Sequence, residues 1–160
     1  AKHFSKNKVK YKDHDWRLIE TPHFEIVHYE QEAELVHDAA RPLLTPDVVE
    51  RVITRLRVGD VAGVIPAVPV RDTIKQIEHE RVVATVERAD LVAVQTPQGF
   101  DLRALRAAHA AFTGEATDDA SMVESAGGSI AVVDGDPMNL KVTYPEDLLL
   151  IDALRSRHHE

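Results

Sequence analysis

Histidine is the commonest metal-ligating side chain, and this chain has nine. Their spacing builds no ligand set. His23 and His28 stand five apart in a stretch that reads as a strand, and His158-His159 lie beside the last residue. There is no cysteine, which excludes disulfides and thiolate chemistry. Lys2, Lys6, Lys8, Lys10, Lys12 and Arg17 form a basic stretch that could meet phosphate. Glu20, Glu25, Glu30, Glu32 and Glu34 follow with the opposite sign, and the ordinary reading of such a segment is a solvated tail. A phosphate cradle built from backbone N–H groups needs glycine, and the first glycine is Gly59. A net charge of −8 argues against wholesale nucleic-acid binding, since a phosphate backbone needs a basic face. No apolar run is long enough to span a bilayer, and no apolar h-region follows Ala1-Lys2-His3, so a cytoplasmic location is expected and no membrane partner.

The elements that must position any site sharpen along the chain. Trp16 to Tyr29 reads as extended structure broken at Thr21-Pro22. Glu32 to Arg41 is ambiguous: Ala33, Val36 and Ala40 have helical spacing, yet Leu35-Val36 could be a strand ending at His37-Asp38. Thr45 and Pro46 suit the start of a helix with the stripe Val48, Val49, Val52, Ile53 and Leu56, closed by Gly59. Val61 to Val70 is nearly all apolar, as in a strand buried on both faces. Asp72 to Ile77 and Arg81 to Val86 alternate around Glu78-His79-Glu80, which predicts a hairpin. Asp101 caps a helix with the stripe Leu102, Leu105, Ala108, His109 and Phe112. Thr117 caps another, ended by Gly127-Gly128. Ile130 to Val133 reads as a buried strand, Leu140 to Thr143 as a further strand, and Pro145 opens a last helix with Leu148, Ile151 and Leu154 inward. Helix and strand alternate from residue 45 onward, which predicts an α/β fold with a mostly parallel sheet.

Several polar residues in this frame have ordinary structural readings. Asp38 can end a strand or sit on a helix, Arg88 can form a surface ion pair, Thr117 can be a cap, and Lys141 can be solvated. In order along the chain, however, stand Leu35-Val36-His37-Asp38-Ala39-Ala40-Arg41-Pro42, Pro69-Val70-Arg71-Asp72-Thr73-Ile74-Lys75 and Gln95-Thr96-Pro97-Gln98-Gly99-Phe100. Thr117-Asp118-Asp119-Ala120-Ser121 and Asn139-Leu140-Lys141-Val142-Thr143 follow, and Glu87-Arg88 lies between the second and third. Together, over about three quarters of the chain, these motifs resemble the 2-C-methyl-D-erythritol 4-phosphate cytidylyltransferase family of isoprenoid biosynthesis.

The resemblance implies a Rossmann-like nucleotidyltransferase sheet and the transfer of CMP from CTP to 2-C-methyl-D-erythritol 4-phosphate, assisted by Mg²⁺. By the same resemblance Arg88 and Lys141 are catalytic and position the incoming phosphate, and Asp38, Arg41, Thr73 and Thr117 bind substrate. Asp38 also stands on the metal side of the site. The resemblance further implies a homodimer clasped through a β-arm at about residues 72–94, so that Thr73 and Arg88 complete the partner's site. Residues 1–34 lie outside the motifs and are expected to be an unrelated segment, partly extended or disordered, with residues 35–157 a partial cytidylyltransferase domain. The expected fold is therefore a truncated Rossmann-like α/β sheet with a β-arm, preceded by a short extended segment. The family's glycine-rich loop for CTP lies upstream of Asp38, where this chain has no glycine. A junction of two sequences near Glu34-Leu35 is expected on that ground. The alternative function is a non-catalytic, dimerising α/β remnant or chimera that keeps only a sugar-phosphate half-site.

Overall fold

Val64 and Ile65 are neighbours on one strand, so their side chains leave the sheet on opposite faces, and each seeds a separate core. The computed structural model describes residues 16–20, 24–29, 33–38, 40–113 and 116–157. Along the chain run β1 (Trp16–Glu20), β2 (Phe24–Tyr29), β3 (Ala33–Asp38), α1 (Pro46–Leu56) and β4 (Gly63–Pro69). Then come β5 (Ile74–Glu78), β6 (Arg81–Val86), β7 (Val92–Val94), β8 (Gln98–Asp101), α2 (Leu102–Ala111), α3 (Asp119–Ser125), β9 (Ile130–Asp134) and α4 (Asp147–Arg157). The open alternative at Asp38 resolves as a strand, of which it is the last residue.

The central sheet has the order β1-β2-β3-β8-β4-β7, with β9 on β4. It is mixed, which corrects the expectation of a mostly parallel sheet. Among the described residues the one parallel pair is β4 with β9. β3, β4 and β9 do run in a common direction: α1 crosses from β3 to β4, and α2 and α3 carry the chain from β8 to β9, parallel to β4. However, β8 is antiparallel to both β3 and β4 and lies between them. β7 also runs back along β4, beyond the point where β8 leaves it.

On one face, Val48, Val49, Val52 and Leu56 of α1 are buried, and Val49, Val52 and Leu56 pack with Val64, Ala131 and Val133. Thr45 holds the N-cap position in extended backbone, but its hydroxyl makes no capping bond. On the other face, Ile65 and Phe100 pack with Leu105 and Ala108 of α2 and Ala120 and Val123 of α3. Phe100 is fully buried, and a Cβ on Gly63 would stand 2.5 Å from its ring, so glycine is what lets the two strands share that space.

Other details depart from the sequence reading. His109 is not part of the α2 stripe; its ring is half exposed and meets Asp119 at 2.8 Å. The cap of α3 is Asp118, not Thr117: its carboxylate accepts from Ser121 N at 2.9 Å within a capping box. A carboxylate is favoured at that end of a helix by the dipole, and Ser121 stands where it can reach back. β9 is only half-buried: Ile130 packs on the Phe100 core, Ala131 and Val133 on the α1 core, and Val132 is 54% exposed. Leu140 to Thr143 is irregular rather than a strand; its regular tie is Val142 N to Ala40 O at 2.8 Å. α4 buries Ile151 and leaves Leu149 and Leu150 exposed. Among the described residues no helix is long and apolar enough to cross a membrane.

β5 and β6 form their own two-stranded sheet, the expected arm. Glu78 pairs with Arg81, leaving His79 and Glu80 as a two-residue turn with φ of 45° and 64°. Two left-handed residues match the right-handed twist of a hairpin, but asparagine and glycine accept that conformation far more cheaply than Glu80 does. The double substitution His79→Asn/Glu80→Gly should stabilise the arm by about 1 kcal/mol. Slower amide hydrogen exchange across residues 74–86 would register it, and unchanged exchange would refute the strain.

Candidate functional site

The carboxyl ends of β3, β4 and β9 lie at one end of the sheet, since these strands run the same way. Open α/β sheets bind ligands at that end. β3 ends at Asp38 and leads to Arg41. β4 leads into the root of the arm, where Thr73 precedes β5 and Arg88 follows β6. β9 leads to the loop that carries Lys141. Thr117 joins them by a different route. It precedes Asp118, whose carboxylate accepts from the buried Gln98 Nε2 at 2.8 Å, and Gln98 is the register partner of Val36 near the end of β3.

Two of these groups are bonded into one corner. Arg41 Nη1 donates to Asn139 O at 2.6 Å and Nη2 to Val94 O at 3.3 Å. Val142 N donates to Ala40 O at 2.8 Å. Lys141 lies between these two ties and is exposed, with Asp147 holding the chain just after it. Asp147 Oδ2 accepts from Thr143 N and Tyr144 N, each at 2.8 Å, and these backbone donors hold its carboxyl below the usual range. Thr73 and Arg88 flank the arm root, just before Ile74 and two residues after its register partner Val86. The Arg88 guanidinium donates to Arg71 O, so the cation ties the two ends of the arm. The Glu87 carboxylate accepts from Arg88 N at 3.0 Å and Ala89 N at 3.3 Å, which fixes the backbone there.

Three residues without a role in the sequence reading hold the loop after β9. Arg51 of α1 donates to Asp134 O at 2.7 Å and Gly135 O at 3.3 Å. Gln95 and Asn139 grip it from inside, at 6% and 0% exposure. For these two the signal was present: each is a polar residue inside a quoted motif, and Gln95 sits between apolar β7 and the Thr96-Pro97 turn.

A single carboxylate is enough of a protein donor set for Mg²⁺ at a phosphate site, because the ion keeps waters and takes phosphate oxygens. Asp38 is the carboxylate-bearing residue at the end of β3. Among the described residues no three His, Asp or Glu side chains converge as a metal cluster. An open groove of ≈ 670 Å³ runs between α1 and β9, but it is lined by Asp47, Glu50, Arg55, Val132 and their neighbours and by none of the candidate residues. The strand ends are the better candidate, because open α/β sheets bind ligands there and the connections that carry Arg41, Thr73, Arg88 and Lys141 leave from that end.

The family model described as "IspD: 2-C-methyl-D-erythritol 4-phosphate cytidylyltransferase" matches residues 22–157, beginning upstream of Leu35. A protein of that name from Streptomyces coelicolor is 53% identical over 130 residues, covering 77% of this chain and 48% of the relative. A "Bifunctional enzyme IspD/IspF" from Solidesulfovibrio magneticus is 52% identical over 116 residues, covering 71% of this chain and 29% of the relative. Among solved structures, the 2-C-methyl-D-erythritol 4-phosphate cytidylyltransferase of Thermus thermophilus superposes with a TM-score of 0.71 at 38% identity. That superposition covers 78% of this chain and 62% of the other. The chain thus spans about half the length of the single-function relatives it matches.

The Asp147 bonds give a pH dependence of known sign. An ordinary aspartate titrates near 3.9 when unfolded, and Asp147 titrates lower when folded. Its contribution is therefore complete above the unfolded value and disappears as pH falls through the lower folded value. An NMR titration should find the Asp147 midpoint below that of a model peptide. Asp147→Ala should speed exchange of the Thr143 and Tyr144 amides at neutral pH; equal exchange would mean that these bonds do not hold the Lys141 loop.

Proposed function

This chain belongs to the 2-C-methyl-D-erythritol 4-phosphate cytidylyltransferase family, and on that premise we propose that it supplies the sugar-phosphate side of a CMP transfer from CTP. A phosphate oxygen of 2-C-methyl-D-erythritol 4-phosphate forms a bond to the α-phosphorus of CTP. The bond from that phosphorus to the bridging oxygen breaks, and pyrophosphate carries the charge away. Such a transfer asks the protein for alignment and neutralisation more than for covalent chemistry. The observation that carries the reading is the stitched corner in which Lys141 lies beside Arg41 and the end of β3. Relatives at about half identity that bear the enzyme's name favour catalysis over a non-catalytic remnant.

In this proposal Lys141 and Arg88 offset the repulsion between the entering phosphate and the triphosphate. Arg41 orients the substrate, and the hydroxyls of Thr73 and Thr117 accept or donate hydrogen bonds to it. Mg²⁺, held on the side of Asp38, would neutralise charge on the phosphates. CTP and the methylerythritol phosphate are proposed as substrates of the whole enzyme.

The arm supports a homodimer. Ile77, Val82 and Val83 are 67%, 60% and 51% exposed on a hairpin that pairs with no other strand among the described residues. An apolar arm of this kind is stabilised by lying against a second copy. Thr73 and Arg88 at its root then serve the partner's site.

The reaction is tested by supplying CTP, Mg²⁺ and 2-C-methyl-D-erythritol 4-phosphate and measuring pyrophosphate. Lys141→Ala should lower the rate by roughly 10²-fold or more, the usual cost of removing one preorganised stabilising group. Undiminished turnover in that variant, or no pyrophosphate from the unaltered protein, would overturn the reading. Separately, Ile77→Lys/Val82→Lys should convert a dimer to a monomer in sedimentation, and a monomer before substitution would refute the clasp.

A further inference from the structure

Lys141 is exposed and follows an irregular loop, so its place must be set by something other than a strand ladder. The loop from Gly135 to Asn139 is gripped by two buried carboxamides. Gln95 Nε2 donates to Asp136 O at 2.8 Å while Gln95 Oε1 accepts from Asp136 N at 3.0 Å, so the side chain pairs with that residue's backbone as a strand neighbour would. Gln95 is itself held to the sheet through its N–H, which donates to Pro66 O at 2.8 Å. Gly135 N donates to Ala67 O at 2.8 Å, and a Cβ on Gly135 would stand 2.5 Å from Gln95 Oε1. The loop therefore meets the carboxamide as closely as glycine alone permits.

Asn139 completes the grip. Its Nδ2 donates to Thr96 O at 2.8 Å, its backbone N–H to Asp136 O at 2.9 Å, and its backbone carbonyl accepts from Arg41 Nη1 at 2.6 Å and from Gln95 Nε2 at 3.4 Å. The carboxamide cannot be turned over, since that would set its oxygen against the Thr96 carbonyl. Asn139 thus bonds to the β7–β8 connection through its side chain and to Arg41 through its main chain, two residues before Lys141.

We propose that Gln95 and Asn139 are positioning residues that set the distance between Lys141 and Arg41, and so the affinity for the sugar phosphate. This rests on the function proposed above. Neither residue touches substrate; both act through Lys141. Small displacements at such a site are costly because alignment carries much of the catalysis.

The test uses the unaltered protein, Gln95→Met, Asn139→Ala, Lys141→Ala and the double variant Gln95→Met/Lys141→Ala. Calorimetric titration with 2-C-methyl-D-erythritol 4-phosphate is read beside amide exchange at Val142 and a thermal melt. Methionine keeps the length of Gln95, so that variant remains informative should Asn139→Ala fail to fold. Gln95→Met should weaken binding about tenfold and expose Val142 to exchange, yet cost less than about twofold when Lys141 is already alanine, because the two act as one unit. Equal losses in both backgrounds would mean a general structural role and would overturn the proposal, as would full affinity in Gln95→Met. If the unaltered protein fails to bind, or Lys141→Ala binds as well as it does, the proposed function itself falls and takes this role with it. That result differs from the first two because it precedes any change at Gln95.

Discussion

Gly63 has no side chain where the Phe100 ring lies, and the ring fills the space. That contact lets β8 lie antiparallel against β4 with a large aromatic at the seam. Ile65, Leu105, Ala108, Ala120 and Val123 then pack around the same core. The opposite face, with α1 on Val64, depends on the same strand from behind. Burying Phe100 is worth several kcal/mol by ordinary measures, on the order of 3–5 for truncation to alanine. The placement of β3, and with it Asp38, follows, because β3 reaches the sheet through β8 and not directly through β4.

The candidate residues stand on connections between elements, except Asp38, which ends β3. Each strand of common direction hands its chain to a loop at the same end, and each loop is tied by polar groups rather than by apolar packing. Arg41, Arg51, Gln95, Asn139 and Asp147 each make side-chain hydrogen bonds to backbone groups. Buried backbone that leaves a ladder must find such partners or lose free energy. The same requirement that satisfies the loops therefore also fixes where the cations stand.

Much of this was legible in the residues. The stripes of α1 and α4, the apolar β4, the arm and its turn follow from spacing alone, and the motif order carried the family. What was missed has physical reasons. The insertion of β8 could not be read, because Gln98-Gly99-Phe100-Asp101 looks like loop and its partners are distant in sequence. Leu140 to Thr143 has the alternation of a strand, but the Arg41 and Ala40 ties hold it at a corner instead. Thr117 and Asp118 are both good caps, and only the positions of Ser121 and Gln98 choose between them. Gln95 and Asn139 stand inside the motifs, but a carboxamide is ordinarily a surface side chain, and the motifs alone do not show its burial.

The insertion of β8 also bears on how the domain is reached from the unfolded chain. Val36 and Gln98 are register partners, yet α1, β4, the arm and β7 all lie between them in sequence. Neither neighbour of β8 can pair with it through a tight turn, so its loop-closure entropy is met before its contacts are gained. The helices and the hairpin arm, by contrast, close on local contacts. High contact order thus lies in the pairing of β8 with β3 and equally in that of β9 with β4, and the Asp38 side of the sheet becomes continuous with the rest only when the β8 pairing is made.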